Sequence, residues 1–288
     1  MTLLEAILLG AVQGATEFLP ISSSGHLKLG QYLLGFQDPQ LLFDIVLHVG
    51  TLISVIAFYR KEVWMVITGM IEGTRRGISA RSSDEFFAPE GMRLATLVVL
   101  STLPTGVIGV VLGKLIDPDD GASLITPAAV AGLLILNGFI LITNAHFVKK
   151  EQARSEADER TGKLALWSIT PWVAIAIGVA QGMAVLPGLS RSGLTITIAL
   201  ALAVQRLHAA RYSFLLSIPA ILGALVLKFD TQILSQTEQL VTFLAGAVIA
   251  GGVGYACLIL LTNILKRARF HHFAWYCWVV GIIGIFTL

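Results

Sequence analysis

The chain has 288 residues, of which 55% are hydrophobic and only 13% are charged, and its mean hydropathy is +0.80. A soluble domain carries roughly 25% charged residues, so this composition excludes a soluble enzyme and indicates a polytopic membrane protein. The formal net charge is +2, and no basic run indicates a nucleic-acid partner.

The first apolar segment, residues 3–35, is broken near its middle. Gln13, Thr16, Glu17, Pro20 and three consecutive serines interrupt it. Non-helical backbone at membrane depth is tolerated where protein or a water-filled cavity surrounds it. We therefore predict that the chain up to about residue 38 forms a helical hairpin that enters the membrane and returns to the same side.

Seven apolar stretches are candidates for membrane helices, because about 20 helical residues cross about 30 Å of hydrocarbon. They lie at about 41–59, 92–116, 124–148, 164–188, 209–228, 239–263 and 270–288. Residues 178–204 are again interrupted, by Gln181, Pro187, Gly188 and a Ser-Arg-Ser sequence. We predict a second re-entrant hairpin over residues 164–208.

The basic residues orient the chain across the membrane. Sixteen of the 20 Lys and Arg residues fall in four places: residues 60–93, residues 149–163, Arg206 with Arg211, and residues 266–269. The positive-inside rule makes these segments cytoplasmic. The opposite loops carry six acidic residues against three lysines. The first hairpin would then open to the outside of the cell, and the second would enter from the cytoplasm.

An internal repeat accompanies this pattern. A shift of 168 residues aligns six positions of the first broken segment with six of the second: Gly10, Gln13, Gly14, Ser22, Ser24 and Gly25 with Gly178, Gln181, Gly182, Ser190, Ser192 and Gly193. By the charge rule, residues 41–59 run inward and residues 209–228 run outward, so the two halves are inverted. Repeats of this kind place their site at the midplane, where they meet.

These patterns predict one integral-membrane domain over residues 1–288. The first repeat would cover about 1–148 and the second about 164–288, with a cytoplasmic linker over 149–163. The expected fold is an all-α polytopic membrane protein, an inverted-topology repeat whose two re-entrant helical hairpins meet at the midplane.

The first motif brings an acid and a hydroxyl cluster together. Gln13 and Glu17 are four residues apart and share one helix face. The Pro-Ile-Ser-Ser-Ser-Gly sequence then ends one half-helix and caps the next. A half-helix N-terminus attracts anions, and the serine hydroxyls beside it are potential donors or nucleophiles.

The second motif, Pro187–Thr195, has Arg191 at the position of Ser23 in the first. A guanidinium at membrane depth costs several kcal/mol, on the order of 3 or more, unless it is paired. Its planar fork suits phosphate oxygens. Ser190, Ser192 and Thr195 are further candidates for phosphate contacts.

Each of these residues has a simpler interpretation. A serine run between helices can serve only as a cap, and a single histidine such as His26 can be a core residue. Glu17 and Arg191 can form a purely structural ion pair between the halves. What favours a site is the combination of acid, hydroxyl, imidazole and guanidinium in the two broken segments. Asp44 and His48 are expected to be interfacial rather than catalytic.

The sequence resembles the bacterial undecaprenyl pyrophosphate phosphatases, the bacitracin-resistance lipid phosphatases. Their two signatures are matched by GAVQGATEFLPISSSGHL and GVAQGMAVLPGLSRSGLT, and the similarity extends through DIVLHVGTLISVIAFYRKEV and ARYSFLLSIPAILGA. Many members have Glu where this chain has Gln13, which cannot ionise. The resemblance implies hydrolysis, in the bacterial inner membrane, of a polyprenyl diphosphate to the monophosphate carrier lipid of cell-wall synthesis.

For this reaction we expect Ser23 as nucleophile, Glu17 as acceptor of its proton, and His26 in proton transfer. Arg191 would bind the terminal phosphate and stabilise charge. The residues expected to bind substrate are Gln13, Ser22, Ser24, Gly25, Ser190, Ser192 and Thr195. Two alternatives stay open, namely His26 as nucleophile, and water activated by Glu17 or by a cation on Glu17.

Two further hypotheses concern a divalent cation as cofactor and a transport function in place of catalysis. Mg²⁺ or Ca²⁺ bridging Glu17 and the diphosphate suits the hard oxygen ligands. The expected partners are the polyprenyl diphosphate, the lipid bilayer and a second copy in a homo-oligomer. Since inverted repeats with broken helices are typical of transporters, a lipid-phosphate flippase is the alternative function.

Overall fold

The computed structural model describes residues 1–36, 40–79, 90–116, 126–151, 169–228 and 239–287, and all regular elements in these ranges are helical. The α-helices are α1 (Leu3–Phe18), α2 (Ser23–Leu33), α3 (Leu41–Phe58), α4 (Arg60–Ser79), α5 (Glu90–Ile116), α6 (Pro127–Ile142), α7 (Pro171–Met183), α8 (Arg191–Ala201), α9 (Arg206–Lys228), α10 (Leu240–Lys266) and α11 (Phe273–Thr287). A 3₁₀ turn, Phe270–His272, precedes α11.

Within these residues, five helices are long and apolar enough to cross a membrane: α5, the span Pro127–Glu151 that contains α6, most of α9, α10, and the span Phe270–Thr287 that contains α11. A sixth is added if α3 and α4 count as one broken span. The prediction of an all-α, multi-pass membrane protein is thus confirmed.

One element differs from the sequence prediction. The stretch at 41–59 forms α3, but the chain then bends by 80° into α4, which the sequence does not signal with Pro or Gly at the junction.

The stretch at 164–188 is also the start of the predicted second hairpin. Residues 164–168 lie outside the described residues, and the helix that follows, α7, has 13 residues. This is about 20 Å of helix, too short to span the membrane alone, and the re-entrant hairpin over 164–208 stays a prediction.

Both broken segments consist of two short helices joined by a loop, and their caps correspond. In the first loop (residues 19–22), Ser22 caps α2 by accepting a hydrogen bond from the Gly25 N–H. In the second loop (residues 184–190), Ser190 caps α8 by accepting one from the Gly193 N–H. The two caps lie at the positions that the 168-residue repeat aligns.

Each segment packs against a long helix of the other half of the sequence. Gly10 and Gly14 bring α1 onto α10, and Gly178 and Gly182 bring α7 onto α5. A Cβ at Gly14 would collide with the Ala250 carbonyl oxygen, so these contacts require glycine. The first and second loops meet directly, where the Gly188 N–H donates to Ser22 Oγ at 3.0 Å.

Some predictions fall outside the described residues. Residues 152–163 of the expected linker do so. The same holds for all six acidic residues of the opposite loops: Asp38, Asp117, Asp119, Asp120, Asp230 and Glu238.

Candidate active site

The Glu17 carboxylate, in the last turn of α1, accepts hydrogen bonds from three of the side chains that were predicted to form the site. Its Oε1 accepts a hydrogen bond from Arg191 Nη2 at 2.5 Å. Its Oε2 accepts from Ser23 Oγ at 2.6 Å and from Gln13 Nε2 at 3.0 Å. The carboxylate is therefore paired with a positive charge and hydrogen-bonded to a hydroxyl, although Glu17 is only 6% exposed.

Two polar atoms beside this cluster lack a partner. Arg191 Nη1 and Gln13 Oε1 are buried and have no hydrogen-bond partner in the described part of the chain. A buried polar group left unpaired costs about 1–3 kcal/mol. The carboxylate beside this guanidinium N–H already accepts three hydrogen bonds, and the oxygens of a phosphate would satisfy the N–H.

Two helices begin at this cluster. Ser23 is the first residue of α2 and Arg191 is the first residue of α8. The first N–H groups of a helix have no partner within the helix, and the N-terminus carries a partial positive charge. The site thus combines a guanidinium with two helix N-termini, which favours a multiply charged anion.

Ser22 joins the two loops. Its backbone has φ of +69°, in the left-handed region that non-glycine residues rarely adopt. Its Oγ accepts hydrogen bonds from the N–H groups of Gly25 at 3.3 Å and of Gly188 at 3.0 Å. Ser24 Oγ lies 3.5 Å from Ser22 Oγ. The Ser22 hydroxyl, predicted to bind substrate, thus accepts hydrogen bonds from two backbone N–H groups. Because Gly25 has no side chain, the Gly188 backbone can pack closely against it.

Three further residues of the second motif that were predicted to bind substrate, Ser190, Ser192 and Thr195, are buried. Ser190 Oγ lies 3.2 Å from Ser192 Oγ, and Ser192 Oγ lies 3.5 Å from the Leu19 carbonyl oxygen. Thr195 Oγ1 donates to the Arg191 carbonyl oxygen and lies 2.5 Å from Ser213 Oγ. These contacts join the two loops and α9. The hydroxyls of the three residues therefore contact one another, the backbone and Ser213, and none of them contacts the Glu17 carboxylate in these hydrogen bonds.

Both ring nitrogens of His26 are engaged. Nδ1 lies 2.8 Å from the Ser22 carbonyl oxygen, which can only accept, so Nδ1 carries the proton. Nε2 lies 2.9 Å from the Tyr276 hydroxyl, which donates to it when the ring is neutral. The two rings also stack, with centroids 5.5 Å apart. The sequence motifs do not predict this contact between His26 and Tyr276, which lies on α11.

His48 is a second neighbour of the site that sequence reasoning missed. We expected it, with Asp44, to be interfacial, but its Nε2 lies 3.7 Å from Glu17 Oε2. Its Nδ1 lies 2.7 Å from the Asp44 carbonyl oxygen. The Asp44 carboxylate accepts from Gln31 Nε2 at 2.6 Å. No spacing in the sequence relates α3 to the end of α1, so this proximity could not be read from it.

The residues present fit a cation that is shared with a substrate. Among the described residues, no three His, Cys, Asp or Glu side chains cluster as a metal site. The oxygens that such a cation would bind are those of the Glu17 carboxylate, which also accept the hydrogen bonds described above, and Gln13 Oε1, which has no partner among the described residues. Mg²⁺ is commonly held by one or two carboxylates together with substrate phosphates, and this donor set matches that arrangement.

The sequence family described as Bacitracin resistance protein BacA matches residues 6–283 of the chain. The chain belongs to this family. Similar curated proteins include the undecaprenyl-diphosphatase of Desulfatibacillum aliphaticivorans, 38% identical over 280 residues, which are 96% of each chain. That of Desulforapulum autotrophicum is 36% identical and covers 99% of this chain and 98% of its own.

The similarity extends beyond these two. The undecaprenyl-diphosphatase of Methanosphaera stadtmanae is 37% identical over 288 residues, covering 99% of this chain and 98% of its own. The family resemblance inferred from the two motifs is therefore confirmed over residues 6–283, and both loops lie within the matched residues.

Proposed function

We propose that this BacA family member is an undecaprenyl-diphosphatase. It is a membrane hydrolase that converts a polyprenyl diphosphate to polyprenyl phosphate and inorganic phosphate, as the names of its full-length relatives imply. This activity recycles the carrier lipid of cell-wall synthesis. The observation that carries it at the site is the Glu17 carboxylate, which accepts hydrogen bonds from both Ser23 Oγ and Arg191 Nη2.

The first step transfers the terminal phosphoryl group to Ser23. Arg191 Nη1 and the N-termini of α2 and α8 bind the terminal phosphate and stabilise its charge. Ser23 Oγ attacks the terminal phosphorus while its proton passes to Glu17 Oε2, over the 2.6 Å hydrogen bond. The bond from that phosphorus to the bridging oxygen breaks. The polyprenyl phosphate leaves and takes the proton from Glu17.

The second step hydrolyses the phosphoserine. Glu17 accepts a proton from a water molecule as the water oxygen attacks phosphorus. The bond between phosphorus and Ser23 Oγ then breaks, and Glu17 returns the proton to that oxygen. Inorganic phosphate is released and the starting state is restored, so one carboxylate serves both steps.

The contacts of His26 favour Ser23 over His26 as the nucleophile. Both His26 nitrogens are engaged, by the Ser22 carbonyl and by Tyr276, whereas Ser23 Oγ contacts a base directly. His26 holds the carbonyl of the residue before Ser23 and so fixes the first loop. Its part in proton transfer stays a prediction, as does the activation of water in place of Ser23.

The Glu17 carboxylate and Gln13 Oε1 would hold a Mg²⁺ or Ca²⁺ ion, which when bound would supply positive charge that neutralises part of the diphosphate charge. None of the steps above depends on it. The Ser24, Ser190, Ser192 and Thr195 contacts to substrate, and association into a homo-oligomer, also stay predictions.

The inverted-repeat architecture and the outward-facing site belong to the same proposal. The equivalent caps of Ser22 and Ser190, and the glycine packing of α1 and α7, support two related hairpins. In the inner membrane, with the basic segments cytoplasmic, the first hairpin would open outward. The carrier diphosphate is expected on that face once its sugar cargo has been used.

Sidedness can be tested with single cysteines in a background lacking Cys257 and Cys277. Lys28→Cys, on α2, should react with an impermeant thiol reagent on intact spheroplasts, and Lys149→Cys should react only after lysis. Both positions are exposed. Labelling of position 149 from outside, with position 28 protected, would turn the site toward the cytoplasm.

The activity itself is tested by phosphate release from undecaprenyl diphosphate by the purified protein in detergent. Detergent micelles have no two compartments, so a transporter without catalysis would release nothing. We expect sustained turnover. Its absence over a range of pH and of added Mg²⁺ or Ca²⁺ would overturn the proposal and favour the flippase alternative.

A further inference from the structure

Asn137 connects the two loops that carry the site. It lies on α6 and is fully buried. Its Nδ2 donates to the Pro20 carbonyl oxygen at 2.8 Å, and its Oδ1 accepts from the Ser190 N–H at 3.1 Å. Pro20 lies in the first loop and Ser190 in the second, so one side-chain amide binds the backbone of both.

These two backbone groups stand next to the residues of the site. Pro20 lies midway between Glu17 and Ser23, and Ser190 directly precedes Arg191. A shift of either loop would change the separations of Arg191, Glu17 and Ser23. Because a mispositioning of about 1 Å can cost about 10²-fold in rate, the anchoring of the loops is coupled to catalysis.

Asn137 differs from the other contacts between the loops. The Gly188 N–H to Ser22 Oγ bond joins one loop to the other directly. Asn137 instead ties both to α6, a long helix packed on α11, where Cys277 Sγ lies 3.3 Å from Asn137 Nδ2. It therefore sets the position of each loop against the membrane-spanning part of the protein.

We infer that Asn137 is a positioning residue for the diphosphatase reaction: by holding the Pro20 carbonyl and the Ser190 N–H, it sets the distance between the Glu17–Ser23 pair and Arg191. The inference rests on the function proposed above. It assigns no contact with substrate to Asn137.

The test compares Asn137→Leu with Asn144→Leu. Leucine has the same branching at Cγ as asparagine, is somewhat larger, and removes its hydrogen bonds; the same enlargement occurs in the control variant. Asn144 is the matched control, since it is equally buried and its Nδ2 donates to Leu141 O and Thr197 Oγ1, away from both loops. We expect kcat for undecaprenyl diphosphate to fall about 10–100-fold in Asn137→Leu and much less in Asn144→Leu, at similar losses of thermal stability.

A double-mutant cycle separates positioning from general destabilisation. If Asn137 acts through the placement of Arg191, Asn137→Leu should lower kcat less in an Arg191→Ala background than in the wild type. Should Asn137→Leu not fold, Asn137→Asp, which keeps an acceptor for the Ser190 N–H, is compared with Asn144→Asp instead.

The outcomes also separate this inference from the function on which it rests. A wild-type protein that releases no phosphate refutes the proposed function. An active wild type with equal losses of kcat in the Asn137 and Asn144 variants, or additive effects in the cycle, refutes the positioning role alone.

Discussion

Arg191 Nη2 donates to Glu17 Oε1 over 2.5 Å, across 174 residues of sequence, and another nitrogen of the same guanidinium, Nη1, is buried with no hydrogen-bond partner among the described residues. A phosphate oxygen beside this ion pair would accept a hydrogen bond from Nη1. The same carboxylate accepts a hydrogen bond from Ser23 Oγ, so one ion pair joins the proposed phosphate-binding group to the proposed nucleophile and its base.

Glu17→Gln should lower turnover by about 10²–10⁴-fold, because an amide cannot accept the Ser23 proton. The measurement is phosphate release from undecaprenyl diphosphate in detergent. Glu151→Gln is the matched control, since Glu151 is 8% exposed and pairs with Arg206 at 2.8 Å, outside the site. Similar, mild effects of the two changes would show that Glu17 has no chemical role.

Arg191→Lys should lower turnover by about 10²–10³-fold, the usual cost of one preorganised donor. The lysine ammonium keeps the charge. It lacks the planar guanidinium, whose N–H groups can donate to Glu17 and to a phosphate at the same time. Arg206→Lys serves as control, and its turnover should change little. Near-normal activity of Arg191→Lys would mean that Arg191 is structural and that phosphate binds elsewhere.

Tyr276→Phe should lower kcat about 2–10-fold, as expected for the loss of one hydrogen bond of about 0.5–1.5 kcal/mol. The phenyl ring still stacks on His26, but His26 Nε2 loses its donor. As the control, Tyr255→Phe removes a hydroxyl from a ring that packs edge-on against Phe58, away from His26. If the two variants have the same kcat, the orientation of His26 does not depend on Tyr276.

Gly14→Ala should destabilise the protein by about 1–3 kcal/mol, because its Cβ would collide with the α10 backbone where α1 crosses it. Gly252→Ala, also within a helix, meets open space and should be neutral or slightly stabilising. The unfolding free energy in detergent is the measurement. Equal stabilities of the two variants would contradict the close packing of α1 on α10.

The sequence predicted those features that local chemistry determines. Serine caps at Ser22 and Ser190 follow from hydroxyls placed before a helix, and the break after Glu17 follows from Pro20. The pairing of Glu17 with Arg191 was among the hypotheses because a membrane-buried guanidinium needs a partner.

The sequence could not predict contacts that depend on the rotation of one helix against another. Asn137, His48 and Tyr276 lie on three different helices, α6, α3 and α11, and their proximity to the residues of the site is set by tertiary packing. For the same reason, the contact of the Thr195 hydroxyl with Ser213 Oγ on α9 could not be predicted, and the contact of Thr195 with phosphate stays a prediction. The 80° bend between α3 and α4 has no sequence marker either.

The central claim is that Ser23 Oγ, hydrogen-bonded to Glu17, attacks the terminal phosphate. It is tested most directly by phosphate release from undecaprenyl diphosphate by purified Ser23→Ala, beside Ser24→Ala as the adjacent control. Ser24 Oγ lies 3.5 Å from Ser22 Oγ rather than on the Glu17 carboxylate. We predict that turnover is lost in Ser23→Ala and largely kept in Ser24→Ala. Sustained turnover by Ser23→Ala, or its loss in Ser24→Ala alone, would contradict the assignment.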